Sequence, residues 1–223
     1  MKRAALMLTT GAVVLLGART AVAERSALGQ GTEVGLRAGY GLPLGKATSD
    51  ATESMSWAVT GTVPIWLDAG VRITPVVFAG FYASYAFGFV NKQHMDCTSN
   101  TSCSSFVVRG GAQVQFHLLP DGPRDPWLGL GVGYEVWGLN RTVNAAGGSF
   151  ETSSTSRGIE FANIQAGLDF KPSLQVGLGP FAAASLVQYD SFDRLEGGAR
   201  TSPNLGKSLH AWIQLGVRGF WDL

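Results

Sequence analysis

The segment 34–45, VGLRAGYGLPLG, alternates strictly between two kinds of residue. Period-two alternation predicts a β-strand, because successive side chains of a strand point to opposite faces. In a soluble antiparallel sheet one face covers the core and the other is polar and solvated. Here the second face is nearly all glycine, around a single arginine. The two faces are Val34, Leu36, Ala38, Tyr40, Leu42 and Leu44 against Gly35, Arg37, Gly39, Gly41, Pro43 and Gly45.

The same alternation recurs along the chain and predicts eight antiparallel strands. Three breaks between strands are short and marked by proline, as tight turns are, and they lie at 74–75, 119–126 and 171–174. Four breaks are long and polar, and they lie at 45–58, 91–104, 141–157 and 190–208. Long loops on one side and tight turns on the other are typical of transmembrane barrels. The predicted strands are 32–44, 59–73, 76–90, 105–118, 127–140, 158–170, 175–189 and 209–222.

The polarity of the faces distinguishes two kinds of eight-stranded barrel. A lipocalin-like secreted barrel turns its apolar face inward around a ligand, but glycine, glutamine and scattered charges would then be too sparse for its wet outer surface. A membrane barrel turns the apolar face to lipid and encloses the small face, where eight strands leave little room. We therefore predict the membrane arrangement. Strand 175–189 is apolar on both faces and is left unassigned, and the large residues expected inside are Trp66, Trp137, Phe161 and Trp212.

The first residues have the features of a secretory signal peptide. Lys2 and Arg3 precede an apolar run that ends in small residues at 21–23, which predicts cleavage after Ala23. Residues 24–223 are then expected to form a single barrel domain. Removal of Lys2, Arg3 and Arg19 lowers the 17 basic residues to 14, against 16 acidic ones, for a net charge of −2. With no basic cluster, this charge argues against nucleic acid as a partner.

One register of the first two strands brings opposite charges together twice. If the numbers of facing residues sum to 105, Glu33 lies opposite Arg72. The same register places Arg37 opposite Asp68. Both pairs fall on the predicted inner face, where a buried charge needs a partner.

A turn centred on residue 122 would likewise place Arg109 opposite Glu135. We predict a structural cluster of ion pairs inside the barrel. A proton or ion path would use the same residues and is the functional alternative. The predicted cluster is Glu33, Arg37, Asp68, Arg72, Arg109, Glu135, Asp169, Arg218 and Asp222.

Cys97 and Cys103 are the only cysteines of the chain. Because an exported protein meets an oxidising compartment, a disulfide that closes this short loop is predicted. A metal site that adds His94 and Asp96 is the alternative, but the four residues lack a recognised ligand spacing.

Aromatic residues gather near the predicted strand ends, as they do at the two interfaces of a membrane barrel. The loop-side group is Trp57, Phe89, Phe106, Tyr189 and Phe192. The turn-side group is Phe116, Trp127, Phe170 and Trp221.

Three segments resemble the small outer-membrane barrels of the OmpA, OmpX and OmpW type: residues 34–45, PWLGLGVGYE at 126–135, and WIQLGVRGFWDL at 212–223. The resemblance covers essentially all of the chain after residue 23. It implies an all-β fold, an eight-stranded antiparallel up-and-down transmembrane β-barrel with short periplasmic turns and four long extracellular loops. It also implies a location in a bacterial outer membrane of the Gram-negative type. Such barrels usually end in an aromatic residue that the assembly machinery reads, whereas this chain ends in Leu223 with Trp221 two positions before it.

The resemblance also implies the partners: outer-membrane lipid and lipopolysaccharide, the barrel-assembly machinery, and an extracellular ligand of the loops. Full closure of the sheet favours a monomer, since it removes the free edges that drive pairing. No cofactor, metal or catalytic residue is expected. A surface-interacting barrel is the leading function, and a narrow pore or OmpW-like conduit for small or hydrophobic solutes is the alternative.

A lipid-modifying enzyme is the third hypothesis, because some small barrels act on lipid A. Such an enzyme needs a serine, a histidine and an acid held together near the outer leaflet. Ser208 and His210, with Asp190 and Glu196 in the preceding loop, are the residues that could supply them. They match no family motif, and we expect no enzyme.

Overall fold

The structure is a computed structural model that describes residues 31–47, 54–97, 99–145, 148–173, 175–203 and 206–223. The predicted signal peptide at 1–23 lies outside these residues. The strands are β1 Gly31–Gly45, β2 Val59–Arg72, β3 Val77–Val90, β4 Thr101–His117, β5 Arg124–Ala145, β6 Gly148–Phe170, β7 Val176–Glu196, β8 Ala199–Thr201 and β9 Ser208–Asp222. The one helix of the described ranges, α1, is a single turn at Met55–Ala58.

Eight long strands close into a ring. Each strand from β1 to β7 pairs antiparallel with the next, β7 pairs with β9, and β9 returns to β1. The short β8 pairs only with the end of β7 and lies outside the ring. The predicted all-β, eight-stranded antiparallel up-and-down barrel is therefore confirmed.

The apolar faces point outward, as predicted. Leu36 on β1 is 49% exposed, Phe81 on β3 is 72% exposed and Leu215 on β9 is 62% exposed, whereas Arg37 and Glu33 are fully buried. β7, whose sides the sequence left open, follows the same rule. Its odd-numbered residues from Gly177 to Tyr189 point into the barrel.

Three aromatic residues lie on the other side of the barrel wall from the one that the sequence predicts. Phe161, expected inside, is 45% exposed because a β-bulge between Glu160 and Ala162 adds one residue and reverses the alternation. Tyr189 and Trp127, expected at the membrane interfaces, are buried inside at 2% and 1% exposure. Those two were assigned by their place near a strand end, but the parity of their strands turns them inward.

Two of the predicted loops are largely strand. β5 and β6 stay paired up to Ala145 opposite Gly148, so most of 141–157 is a hairpin. β7 continues to Glu196 and forms a second hairpin with β8, so part of 190–208 is also strand. The sequence prediction was wrong here because it read polarity as loop. Threonine is among the residues enriched in strands, and the hairpin contains Thr142, Thr152 and Thr155.

The interior is tight enough that glycines are required beside large rings. At Gly167 on β6, an added Cβ would lie 2.5 Å from the indole of buried Trp127. We predict that Gly167→Ala destabilises the folded barrel by about 1–3 kcal/mol, the usual cost of overpacking. The urea midpoint of unfolding from lipid vesicles measures this change.

Gly110→Ala on β4 is the matched control. Its Cβ would meet only the carbonyl oxygen of Tyr82, at 3.7 Å, and the position is exposed on the outer face. Equal midpoints for the two variants would show that the interior has room to adjust.

Candidate functional site

The candidate site is the interior of the barrel, where charged and aromatic side chains form three layers. In the middle layer the guanidinium of Arg37 binds Asp68 through two nitrogens, Nε to Oδ2 at 2.6 Å and Nη2 to Oδ1 at 2.5 Å. Arg37 also donates to Gln165 at 2.7 Å and to Gln113 at 2.9 Å. Gln113 in turn donates to Asp68 at 2.7 Å, so that carboxylate accepts three hydrogen bonds from Arg37 and Gln113.

The register that predicted this pair is wrong by two residues. Arg37 lies opposite Trp66, and Arg72 lies opposite Gly31. A shift of two keeps every side chain on the same face, so the long arginine side chains still reach their acids along the diagonal. The ring of Trp66 lies 4.8 Å from the Arg37 guanidinium carbon and covers it.

The turn-side layer is centred on Glu33. One oxygen of Glu33 accepts from Arg72 Nε at 2.8 Å, and the other accepts from Arg218 at 2.5 Å. Arg218 also reaches Asp169 at 3.4 Å, and Arg72 reaches Asp222 at 3.5 Å. The structure brings together the five residues predicted for this end of the barrel: Glu33, Arg72, Asp169, Arg218 and Asp222.

A further acid–base group closes the turn side and was missed by the sequence analysis. The imidazole of His117 lies 2.8 Å from Asp125, and Lys171 donates to the same carboxylate oxygen at 2.6 Å. Asp125 and Lys171 stand in the proline-containing segments that were predicted as turns, so strand parity assigned them to no face. Only the strand register shows that Asp125 and Lys171 lie beside His117, and strand parity alone does not supply that register.

The loop-side layer is centred on Glu135. Arg109 lies directly opposite it in the predicted register, and Nε donates to its Oε2 at 2.5 Å. The other oxygen, Oε1, accepts from Tyr189 at 2.5 Å and from Trp212 at 3.2 Å, and it lies 2.8 Å from Nε2 of His210.

A second acid, Glu160, stands beside this layer. Its two oxygens accept from Tyr82 and from Asn163, the latter at 2.7 Å. Both bonds are buried. Tyr82 and Asn163 lie on predicted strands, but only the bulge at 160–162 brings Glu160 and Asn163 to the same face.

The hypothetical enzyme residues do not assemble as a serine–histidine–acid group. The acid beside His210 is Glu135, while Asp190 and Glu196 are exposed on the extracellular part of β7. The Ser208 hydroxyl donates to the backbone carbonyl of Ala47 at 2.6 Å.

The extracellular side carries the disulfide and an exposed charge network. Cys97 and Cys103 are bonded. Asp193 lies on β7. The Ser202 hydroxyl and the Arg200 guanidinium hold the pKa of its carboxyl below the usual range. Among the described residues no three His, Cys, Asp or Glu side chains are placed to hold a metal ion, and His94 instead stacks on Trp57 with ring centres 4.5 Å apart.

The fold can be compared with solved structures. A major outer membrane protein from Thermus thermophilus is 11% identical, with 86% of this chain and 99% of that chain covered and a TM-score of 0.54. Its score shows a shared fold. This chain has the fold of the small outer membrane β-barrels. The closed ring and its apolar outer surface are those of a membrane-spanning barrel, as the sequence predicted.

Two other solved structures match over similar lengths. Neisserial surface protein A is 16% identical, covering 85% of this chain and 97% of that chain, with a TM-score of 0.46. OprG from Pseudomonas aeruginosa is 10% identical, covering 86% and 96%, with a TM-score of 0.47. No family model and no curated protein matches the sequence. Within the described ranges, no helix has the length and apolar content of a membrane span.

The middle layer can be tested by removing one charge. We predict that Asp68→Asn destabilises the barrel by about 3–5 kcal/mol, because Arg37 would be left buried without its counter-charge. Urea unfolding in vesicles, followed by the gel mobility of the folded band, measures the loss.

The double variant Arg37→Met, Asp68→Leu is the control, since it removes both charges and keeps similar volume. It is expected to cost less than Asp68→Asn alone. A larger loss in the double variant would mean that the pair itself, rather than charge balance, stabilises the layer.

Proposed function

We propose that this protein is a structural, surface-interacting outer membrane barrel whose interior is plugged by ion pairs and whose extracellular strands present a binding surface. The observation that supports a plug is the series of three charged layers across the bore. In each layer a carboxylate is bound by one or more arginines, and the groups Glu33, Arg37, Glu135 and Arg218 have at most 1% of their side chains exposed.

The extracellular extension supports the binding role. β5, β6 and β7 rise beyond the point where the β3–β4 ladder ends at Gly88 opposite Ser105. The hairpin formed by β5 and β6 is polar, but Phe150 near its tip is 69% exposed. Aromatic residues are enriched at interaction surfaces relative to the rest of a protein surface, and Phe150 is assigned to the binding surface on that ground.

The same proposal includes export, assembly and the oligomeric state. Residues 1–23 act as the signal peptide, and the barrel-assembly machinery inserts the mature chain as a monomer. The ring between β1 and β9 is closed at membrane level, so no strand edge is left there for a second copy. We propose no catalytic step, because His210 and Ser208 bind Glu135 and Ala47 rather than each other.

Shortening the hairpins tests the binding surface. Leu139 lies opposite Ser154, so replacing 140–153 with Asn-Gly restores a two-residue turn and leaves the membrane barrel intact. Arg194 lies opposite Thr201, and replacing 195–200 in the same way shortens the second hairpin. We expect cells that display either variant to adhere to an epithelial layer several-fold less than cells with the full-length barrel.

Heat-modifiable gel migration is the control for folding, since a folded barrel runs ahead of the boiled chain. If both shortened barrels fold and adhesion is unchanged, the extracellular strands are not the binding surface.

A conduit is the second candidate, favoured by an apolar cluster at the extracellular mouth. Met55 of α1 is 2% exposed and packs over Val107, Trp137 and Trp212 on the inner wall. The cluster adjoins the loop-side ionic layer, since Trp212 belongs to the cluster and also donates to Glu135. A small hydrophobic solute could replace Met55 there if α1 moved away.

Single-channel recording separates the two candidates. For the plugged barrel we expect no steady conductance in planar bilayers and no liposome swelling in small sugars, with a general porin as the positive control. A steady open channel would favour the conduit, because the three layers would then have to part.

A further inference from the structure

Two arginines stand on the outer wall of the barrel just above its apolar belt. On β6 the last outward apolar residue is Ile159, which is 54% exposed, and Arg157 follows on the same face. Arg200 of β8 reaches the same place from the second hairpin. Both guanidinium groups approach Oδ2 of Asp193, Arg157 at 3.6 Å and Arg200 at 2.6 Å.

Asp193 organises the pair without neutralising it. Its Oδ1 accepts from the Ser202 hydroxyl at 2.6 Å, so the carboxylate has partners at both oxygens and is only 15% exposed. The arginine side chains are 42% and 62% exposed, and one carboxylate offsets only one of their two charges. Both guanidinium groups therefore remain open to solvent.

The surrounding charges make this half of the rim basic. Lys46 follows β1 and Lys207 precedes β9, and both are exposed where these paired strands leave the belt. With Arg194, the five cations of the described rim from β6 to β1 outnumber its four acids, Glu151, Asp190, Asp193 and Glu196, by one.

The height of the pair indicates its partner. In an outer membrane the level just above the acyl chains of the outer leaflet is occupied by the phosphates of a glycolipid. Guanidinium groups bind phosphate through two parallel N–H donors, and a basic surface at a bilayer attracts anionic headgroups. We propose that Arg157 and Arg200, held by Asp193, bind a phosphate of lipid A in the outer leaflet. The proposal rests on the outer membrane location given above.

Lipid binding to the refolded barrel tests this site. Native mass spectrometry compares bis-phosphorylated lipid A with its dephosphorylated form, on the wild-type chain and on the double variant Arg157→Gln, Arg200→Gln. We expect the double variant to bind the phosphorylated lipid about tenfold more weakly, since two charge-assisted contacts are lost. The dephosphorylated lipid should bind both proteins equally.

Arg194→Gln is the matched control. Arg194 is 51% exposed and pairs with Glu196 at 3.2 Å, on the other face of the same strand. It should bind phosphorylated lipid A as the wild type does. Equal binding by the wild type and the double variant, or an equal loss in Arg194→Gln, would overturn the site.

Two further measurements identify the ligand and isolate the cause of a failure. Millimolar inorganic phosphate should not displace the lipid, and displacement would assign the site to free phosphate instead. Heat-modifiable migration of the barrel in vesicles tests membrane folding separately. A chain that does not fold in bilayers contradicts the proposed function, whereas a folded chain without phosphate preference contradicts only the lipid site.

Discussion

The structure depends on one constraint: inside the membrane the backbone can form hydrogen bonds only with itself, because no water is present there. Hydrocarbon offers no partner to an N–H or C=O group, so every strand at membrane level must have two neighbours and the sheet must close. With eight strands the closed ring is narrow, and its inner face has room for glycine and for few large groups. Charges placed there must bind one another, because an unpaired buried charge costs several kcal/mol.

The interior layers connect strands that are not neighbours in the sheet. Arg37 of β1 binds Gln113 of β4 and Gln165 of β6, the last 128 residues away in sequence. Trp212 of β9 donates to Glu135 of β5, 77 residues away. These contacts cross the bore and fix its cross-section, while the ladders fix only the order of strands.

Parity was the information that the sequence carried best. It oriented nearly every strand, and it placed Arg109 opposite Glu135 because a proline-marked turn set the register. The predicted register of β1 and β2 was wrong by two residues. A shift of two leaves every side chain on its face, so the alternation pattern does not reveal it. The length of the β5–β6 hairpin was missed because a strand in water on both faces shows no apolar alternation.

The bulge of β6 has an effect beyond the exposure of Phe161. Above it the even-numbered residues face the bore, and below it the odd-numbered ones do, so Glu160 and Asn163 are both interior although three positions separate them. Deleting one residue between them would restore unbroken alternation. The lower half of the strand would then have to turn Gln165 and Asp169 toward the acyl chains, or slide by one position against both neighbours. A single inserted residue thus sets which side of the wall half a strand presents.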